Sequence, residues 1–158
     1  MNFSIIQANN QDLPAILALQ KLAYQSEGQR YNDFTLPPLT QTLEEIRADF
    51  AGMVFVKAVQ EDRIVGSVRG YEADGTCHIG RLIVHPEFQN QGIGTQLMHA
   101  IEQHFDDVQR FELFTGHKSE HALHLYHKFG YHEFKRQPLA THTMVFLEKV
   151  IGESGFSR

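Results

Sequence analysis

Residues 82–95 read LIVHPEFQNQGIGT, and they carry more information about the fold than any other stretch of the sequence. The apolar residues 82–84 are typical of the end of a strand, which Pro86 terminates. The following loop carries Gly92 and Gly94 and opens a helix. Loop amides and the unpaired N–H groups of a helix start together form a cradle for an anion. This pattern predicts either a phosphate site or a helix start whose glycines serve turn geometry alone.

Two familiar phosphate-binding motifs are absent from this stretch. A P-loop requires Gly-Lys followed by Ser or Thr, and Gly94 is followed by Thr95 instead of lysine. A dinucleotide-binding fingerprint requires a third glycine, but Gln96 and Leu97 stand at the available positions. The loop therefore belongs to a different class of phosphate site, if it binds phosphate.

Outward from this stretch, hydrophobic periodicity and turn residues predict the other elements. Asp74-Gly75 is a strong signal for a tight hairpin, and Thr42 and Glu45 have the spacing of a helix capping box. The predicted strands are Phe3–Ala8, Met53–Val59, Ile64–Tyr71, Thr76–His85, Phe111–Thr115, Tyr131–Lys135 and Thr141–Glu148. Four helices are predicted: one over Leu13–Tyr24, one opened by Thr42, one containing Leu97–Phe105 and one containing Ala122–Phe129. We expect Glu27–Leu39 to be a loop.

This order of elements predicts an α/β fold in which a strand–helix–strand crossover lies within a mostly antiparallel sheet. The sheet would have about seven strands and be flanked by four helices. The 158 residues contain no repeat or low-complexity linker, so we expect residues 1–158 to form a single domain. The last few residues, from about Gly152, would be a loose end.

Composition excludes several function classes. The apolar content of 42% and charged content of 21% are typical of a globular protein, and no apolar run approaches the length of a membrane span. The formal charge of −5 disfavours nucleic acid as a partner. The single cysteine, Cys77, suits a reducing compartment, and the N-terminus lacks the pattern of a secretory signal. We therefore expect a cytoplasmic protein without membrane partners.

Two motifs resemble those of one family. Gln89-x-x-Gly92-x-Gly94 after the strand end is similar to the acyl-CoA pyrophosphate motif of the GNAT acetyltransferases. About thirty residues later, Ser119-x-x-Ala122-x-x-Leu125-Tyr126-x-Lys128-x-Gly130-Tyr131 resembles the second motif of that family. The order of elements also matches the family fold, so the resemblance covers nearly the whole chain.

The resemblance implies an acetyl-CoA site in a V-shaped gap between the fourth and fifth strands, Thr76–His85 and Phe111–Thr115. By position, the Leu82 N–H would polarise the thioester carbonyl, while Ile83 and Val84 would bind pantetheine. Ser119 stands where members often carry an asparagine that contacts the pantetheine arm. The pyrophosphate would lie on the amides of Gln89, Asn90, Gln91, Gly92, Ile93, Gly94 and Thr95, with Lys128 near a phosphate.

The resemblance also implies catalytic roles. Tyr126 matches the acid that protonates the departing CoA thiolate, although its helical spacing would also suit core packing. His78 falls in the strand position that carries the base in many members, and a solvent-facing strand histidine is the alternative. Glu72 is a second candidate, either as the base or as a carboxylate that binds the acceptor.

The acceptor site is expected in the loop after the first helix. There, the carboxylate of Glu27 and the ring of Tyr31, together with Glu72, could face a small cationic amine; a solvated loop is the alternative. The histidines near the fourth helix have no spacing that completes a metal site, so no metal is expected.

The sequence thus predicts an N-acetyltransferase that acts on the amine of a small molecule. Two alternatives remain open: acetylation of a protein or peptide amine, and a non-catalytic acyl-CoA sensor on the same fold. Dimers are common in the family, so a homodimer is a further expectation that the resemblance carries.

Overall fold

The computed structural model describes residues 2–151, so both ends of the predicted domain 1–158, including the expected loose end, lie outside the described residues. The protein is built around one sheet of seven strands. The strands are β1 (Ser4–Gln7), β2 (Val54–Gln60), β3 (Arg63–Ala73), β4 (Thr76–Val84), β5 (Arg110–Gly116), β6 (His132–Pro138) and β7 (Thr143–Val150). The α-helices are α1 (Leu13–Ala23), α2 (Gln25–Tyr31), α3 (Pro37–Thr40), α4 (Leu43–Gly52), α5 (Ile93–His104) and α6 (Glu120–Lys128).

The strand order is β1-β2-β3-β4-β5-β7-β6. Every neighbouring pair is antiparallel except β4 and β5, which are parallel and are connected through α5. The predicted mixed, mostly antiparallel sheet is therefore confirmed. Strand β7 lies between β5 and β6, so the last two strands enter the sheet in reversed order.

The meander β2–β3–β4 is formed by two tight turns. Asp74 and Gly75 have φ angles of 53° and 81°, and Glu61 and Asp62 have φ angles of 51° and 65°. Two consecutive left-handed residues are the geometry of the hairpin turn whose twist matches that of the flanking strands. The Asp74-Gly75 signal in the sequence thus fixes the start of β4, the strand on which the candidate site depends.

The structure contains the four predicted helices, but the expectation that Glu27–Leu39 is a loop is wrong. That segment contains the end of α2 and the start of α3. Helix α2 ends where Asn32 adopts a left-handed conformation with φ 51°, and α3 begins with a proline, whose fixed φ suits a first helical turn. The periodicity of helices this short is too brief to detect in the sequence.

Helices cover both faces of the sheet. Helix α5 buries Leu97 and Ile101 in a cluster that includes Val56 of β2. The neighbouring Phe55 points to the opposite face, because side chains alternate along a strand, and packs with residues of α1 and α4. None of the helices within residues 2–151 is long and apolar enough to span a membrane.

Two glycines test how much the hairpin turn contributes to stability, because both have room for a methyl group but their backbone conformations differ. A methyl group added at Gly75 or at Gly52 would meet no atom within 4 Å, but only Gly75 has a left-handed φ. Gly75→Ala should lower the free energy of unfolding by about 1–2 kcal/mol, because a Cβ disfavours that conformation. Gly52→Ala should raise it by about 0.4–1 kcal/mol by restricting the unfolded chain. Urea denaturation measures both, and equal shifts would contradict this explanation.

Candidate functional site

The central feature of the candidate site is the divergence of β4 from β5. Their parallel pairing consists of Thr76 with Arg110, Cys77 with Phe111, and His78 with Glu112. From Ile79 onward β4 keeps β3 as its partner, whereas β5 stays paired with β7. The predicted splay between the fourth and fifth strands is therefore present, and a cavity of about 680 Å³ occupies it.

The cavity continues from the strand edge to the start of α5. Gly92 is the N-cap residue of this helix, with φ 84°, and no side chain caps the free N–H groups. Uncapped amides at a helix start attract anions, since the helix dipole adds partial positive charge there. The predicted phosphate-site residues that line the cavity are Gln89, Asn90, Gly92, Ile93, Gly94 and Thr95. Gln91 does not line it, and its Oε1 atom is buried without a hydrogen-bond partner.

Gly94 is not required by the packing of the protein itself. An added Cβ would lie 3.6 Å from Leu125 Cδ2, which is an ordinary contact, and the backbone of Gly94 is not left-handed. The fold would accept the methyl group of an alanine here, but a side chain would narrow the cavity at the helix start. A glycine at this position leaves the backbone amides uncovered by a side chain of its own.

Along the strand, Leu82, Ile83 and Val84 line the same cavity. The ladder between β3 and β4 changes register here, because Ser67 pairs with Ile83 while Arg69 pairs with Gly80. Arg81 lies in this bulge and has a left-handed φ of 52°. A bulge bends the strand and re-aims its side chains, so the departure of β4 from β5 is built into the strand itself.

Tyr126 of α6 is buried and lines the cavity opposite this strand. Burial raises the pKa of its hydroxyl well above the ordinary value, and nearby Tyr24 and the Glu27 carboxylate raise it further. The phenol therefore stays protonated throughout the physiological range and can only donate its proton to a strong acceptor. Tyr126 also packs in the main core cluster, so the acid and packing interpretations of the sequence are compatible.

A chain of hydrogen bonds ties α2 to the start of α6. The Lys118 N–H donates to the Tyr31 hydroxyl at 2.9 Å, which lies 2.8 Å from Ser119 Oγ. Ser119 Oγ donates to Glu27 Oε1 at 2.5 Å, so Tyr31 must be the donor to Ser119. The other oxygen of Glu27 accepts from Arg30.

This relay changes the expected roles of its members. Tyr31 is buried and is not on the cavity wall; its hydroxyl holds Ser119 in place. Ser119, Glu27 and Lys128 do line the cavity. The carboxylate of Glu27 is already paired, so it is not a free partner for a cationic amine.

A second cavity, of about 370 Å³, is lined by residues of β3, β4, β5 and β7. Ile79, Gly80, Arg81 and Phe114 line both cavities, so the two meet across this part of the strand. We call them the strand-gap cavity and the side cavity. Two spaces that share one wall allow two ligands to approach each other at that wall.

The two candidate bases, His78 and Glu72, differ in their position relative to these cavities. His78 lines the side cavity and stacks on Tyr71, with ring centroids 4.9 Å apart. Glu72 is exposed and lines neither cavity. The predicted acceptor residues Glu27, Tyr31 and Glu72 are therefore not brought together in one pocket.

The side cavity contains a polar cluster that the sequence analysis did not identify. Arg69 is only 4% exposed, donates to Gln20 and pairs with Asp49 at 3.0 Å. Burial, and then the charge of Arg81, lower the pKa of the Arg69 guanidinium to about 10. Two arginines within mostly apolar strands could have indicated this cluster from the sequence, because a charge at such a position needs a buried partner or a ligand.

Cys77 is not placed to react with a ligand in either cavity. Cys77 is fully buried and lines neither cavity. Burial raises the pKa of its thiol to about 12, and the charges of Glu72 and Glu102 act in the same direction. Among residues 2–151, no group of three His, Cys, Asp or Glu side chains is placed to hold a metal ion.

Comparisons with known proteins agree with this geometry. The family model described as "Acetyltransferase (GNAT) family" matches residues 13–131. A curated relative, the UPF0157 protein YqkA of Bacillus subtilis (strain 168), is 28% identical over 119 residues, which are 73% of this chain and 33% of that protein. The chain thus spans about a third of the length of this relative.

Solved structures share the fold. The PaiA N-acetyltransferase of Thermoplasma acidophilum, in complex with coenzyme A, has a TM-score of 0.76 at 14% identity, covering 95% of this chain and 99% of that one. The ribosomal-protein-S18-alanine N-acetyltransferase of Escherichia coli has a TM-score of 0.80 at 14% identity, with coverages of 95% and 94%. A GNAT acetyltransferase of Elizabethkingia anophelis with acetyl-CoA bound has a TM-score of 0.72 at 21% identity, with coverages of 95% and 99%.

The burial of Cys77 gives a direct test of the packing beneath the site. Because the thiol pKa is raised, almost no thiolate exists at pH 8, and the side chain is also inaccessible. A thiol-reactive aromatic disulfide should label the native protein very slowly at that pH. The same reagent in guanidinium chloride should label the one cysteine of the chain at once. Rapid labelling of the native protein would show that the β4–β5 junction opens.

Proposed function

The chain belongs to the acetyltransferase (GNAT) family, and we propose that it transfers the acetyl group of acetyl-CoA to the primary amine of a small molecule. One observation carries this proposal: the gap between β4 and β5 leads to an uncapped helix start, with Gly94 keeping the amides open. An extended, amide-bearing chain that ends in a pyrophosphate has the chemistry to fill such a gap.

The residues that would hold acetyl-CoA follow from the walls of the strand-gap cavity. The free edge of β4 at Ile83 and Val84 would bond the pantetheine amides, because buried backbone groups need partners. The amides from Gln89 to Thr95 would surround the pyrophosphate, with Ser119 and Lys128 on the opposite wall. When bound, acetyl-CoA supplies an activated acetyl thioester.

The reaction requires an attacking amine, a polarised carbonyl and a proton for the leaving thiolate. The Leu82 N–H would donate to the thioester oxygen; a fixed donor of this kind typically lowers the barrier by about 2.7–4 kcal/mol. As the N–C bond forms and the C–S bond breaks, Tyr126 would give its proton to the sulfur. His78, directly or through water, would accept a proton from the amine.

The acceptor would enter through the side cavity, which meets the strand-gap cavity at Ile79–Arg81. Its volume of about 370 Å³ suits a small molecule. This size favours a small-molecule amine over a folded protein substrate. The experiment that tests the function is release of the CoA thiol from acetyl-CoA in the presence of polyamines, amino acids, aminoglycosides and N-terminal peptides.

The other possible outcomes of that experiment distinguish between the alternative functions. Turnover on peptides alone would favour the protein N-acetyltransferase alternative. Binding of acetyl-CoA without turnover on any amine would favour a sensor. A chain that does not bind acetyl-CoA in a calorimetric titration would contradict the proposal entirely.

Tyr126→Phe tests the proposed acid. The variant should bind acetyl-CoA normally, and kcat should fall about 10²- to 10⁴-fold, since loss of a general acid slows the chemical step. Tyr131→Phe is a matched control, because Tyr131 is fully buried and its hydroxyl donates to Glu102 at 2.6 Å outside both cavities. The control should lower stability and leave kcat within a few-fold. Equal effects on kcat would assign Tyr126 to packing.

His78→Ala and Glu72→Ala separate the two candidate bases. Since His78 lines the side cavity and Glu72 lines neither, only the histidine variant should lose about 10²-fold or more in kcat. Free imidazole added to the His78→Ala variant should restore part of the rate. Steady-state kinetics at saturating acetyl-CoA measure both effects. A larger loss in the Glu72 variant would reverse the assignment.

A further inference from the structure

The side cavity contains two guanidinium groups held by one amide. Gln41 Oε1 accepts from Arg81 Nη1 at 3.0 Å and from Arg69 Nη1 at 3.5 Å. Both arginines line the cavity, and Arg81 also borders the strand-gap cavity where the two spaces meet. Two like charges are therefore positioned side by side at the edge of the proposed reaction site.

The charges in this cluster do not balance. Among residues 2–151, the Asp49 carboxylate, 3.0 Å from Arg69 Nη1, is the only carboxylate that pairs with either arginine. Within residues 2–151, Arg81 has no carboxylate within 4 Å, and its one hydrogen bond goes to the neutral side chain of Gln41. Two positive charges thus share one negative charge in a half-buried place, where an unpaired charge is costly.

Other carboxylates near the cavity are committed elsewhere. Glu112 lines the opposite wall, but Arg110 donates to it at 2.8 Å and also to Glu148 at 2.6 Å. Glu27, on the strand-gap side, is bonded to Arg30 and Ser119. The described protein therefore leaves the positive charge of Arg81 for a ligand.

The backbone of Arg81 supports the same conclusion. Its left-handed φ of 52° is a strained conformation for a residue other than glycine. A glycine or asparagine would relieve that strain, yet an arginine stands at this point of the bulge, and it lines the side cavity. Strained residues of this kind concentrate where ligands are bound.

We propose that the acceptor is an amine that also carries a carboxylate, such as an α-amino acid, and that Arg81 binds this carboxylate. The proposal rests on the proposed acetyltransferase function. Guanidinium and carboxylate form charge-assisted hydrogen bonds, and Arg81 has N–H groups that no acceptor in the described part of the chain occupies. The amine of the same molecule would then be directed toward His78 and the shared wall.

The remaining wall indicates the rest of the substrate. Met53, Tyr71, Phe114 and Phe146 line the side cavity with apolar surface. An amino acid with an apolar or aromatic side chain matches this surface better than a polyamine, whose charges would meet Arg81 unfavourably. The structure thus favours phenylalanine, methionine or leucine over the cationic amine that the sequence suggested.

Matched substrates give a direct test. Each of these three amino acids is compared with its amide and with its decarboxylated amine, using CoA-thiol release at saturating acetyl-CoA. For at least one of the three, kcat/KM should be about 10- to 100-fold higher for the amino acid than for either analogue, because the analogues lack the charged acceptor. Equal or better turnover of the neutral analogues in all three sets would overturn the proposal.

Two variants test whether Arg81 causes the preference for a substrate that carries a carboxylate. Arg81→Gln should raise KM for the amino acid about tenfold or more and leave KM for its amide and for acetyl-CoA nearly unchanged. Arg47→Gln removes the same charge from an exposed position on α4, outside both cavities, and should change neither KM. An Arg81→Gln variant that loses activity equally on amino acid and amide would assign Arg81 to structure and overturn the proposal.

The two proposals fail in different ways. Without acetyl-CoA binding or any turnover, the acetyltransferase function itself is wrong. Turnover of polyamines or aminoglycosides, with no preference for carboxylated amines, would leave that function intact and reject the substrate class inferred here.

Discussion

The short parallel pairing between β4 and β5 is the constraint on which the rest of the site depends. Each strand is held from its outer side: β4 stays bonded to β3 and β5 to β7, the latter over seven residue pairs. After only three shared pairs the inner edges separate. Backbone groups on those edges lack strand partners, and buried backbone groups need them. A ligand with amide groups can complete the sheet in a way that no side chain between residues 2 and 151 does.

The bulge at Arg81 turns this gap into a junction between two ligand spaces. It shifts the β3–β4 register just beyond the last β4–β5 pair and places Arg81 on the wall that both cavities share. On one side lie an uncapped helix start and a protonated phenol. On the other side lie an imidazole and an excess of positive charge. Under the proposed function, the acyl donor and the acceptor would therefore be separated by chemistry as well as by position.

The sequence predicted the parts of this molecule that local rules determine. The Asp74-Gly75 turn, the Thr42–Glu45 capping box and the four longer helices follow from residue types at fixed spacing, and the structure has them. The gap between the strands came from a family resemblance, since no local pattern encodes where two strands part. Helices α2 and α3 were missed because they are short, and the Arg69–Arg81 cluster was missed because its partners are distant in sequence. Non-local contacts of this kind are not readable from periodicity.

The hydrogen bond between Tyr31 and Ser119 joins residues 88 positions apart, and this separation bears on how the protein folds. The meander β2–β3–β4 forms from two-residue turns, so its contacts close at little entropic cost. The α2–α6 tie requires that both halves of the chain have already docked. We therefore expect the wall of the strand-gap cavity to be among the last parts to assemble, so that a partly folded chain has no complete site. A ligand of that cavity would then stabilise only the fully folded state and draw folding intermediates toward it.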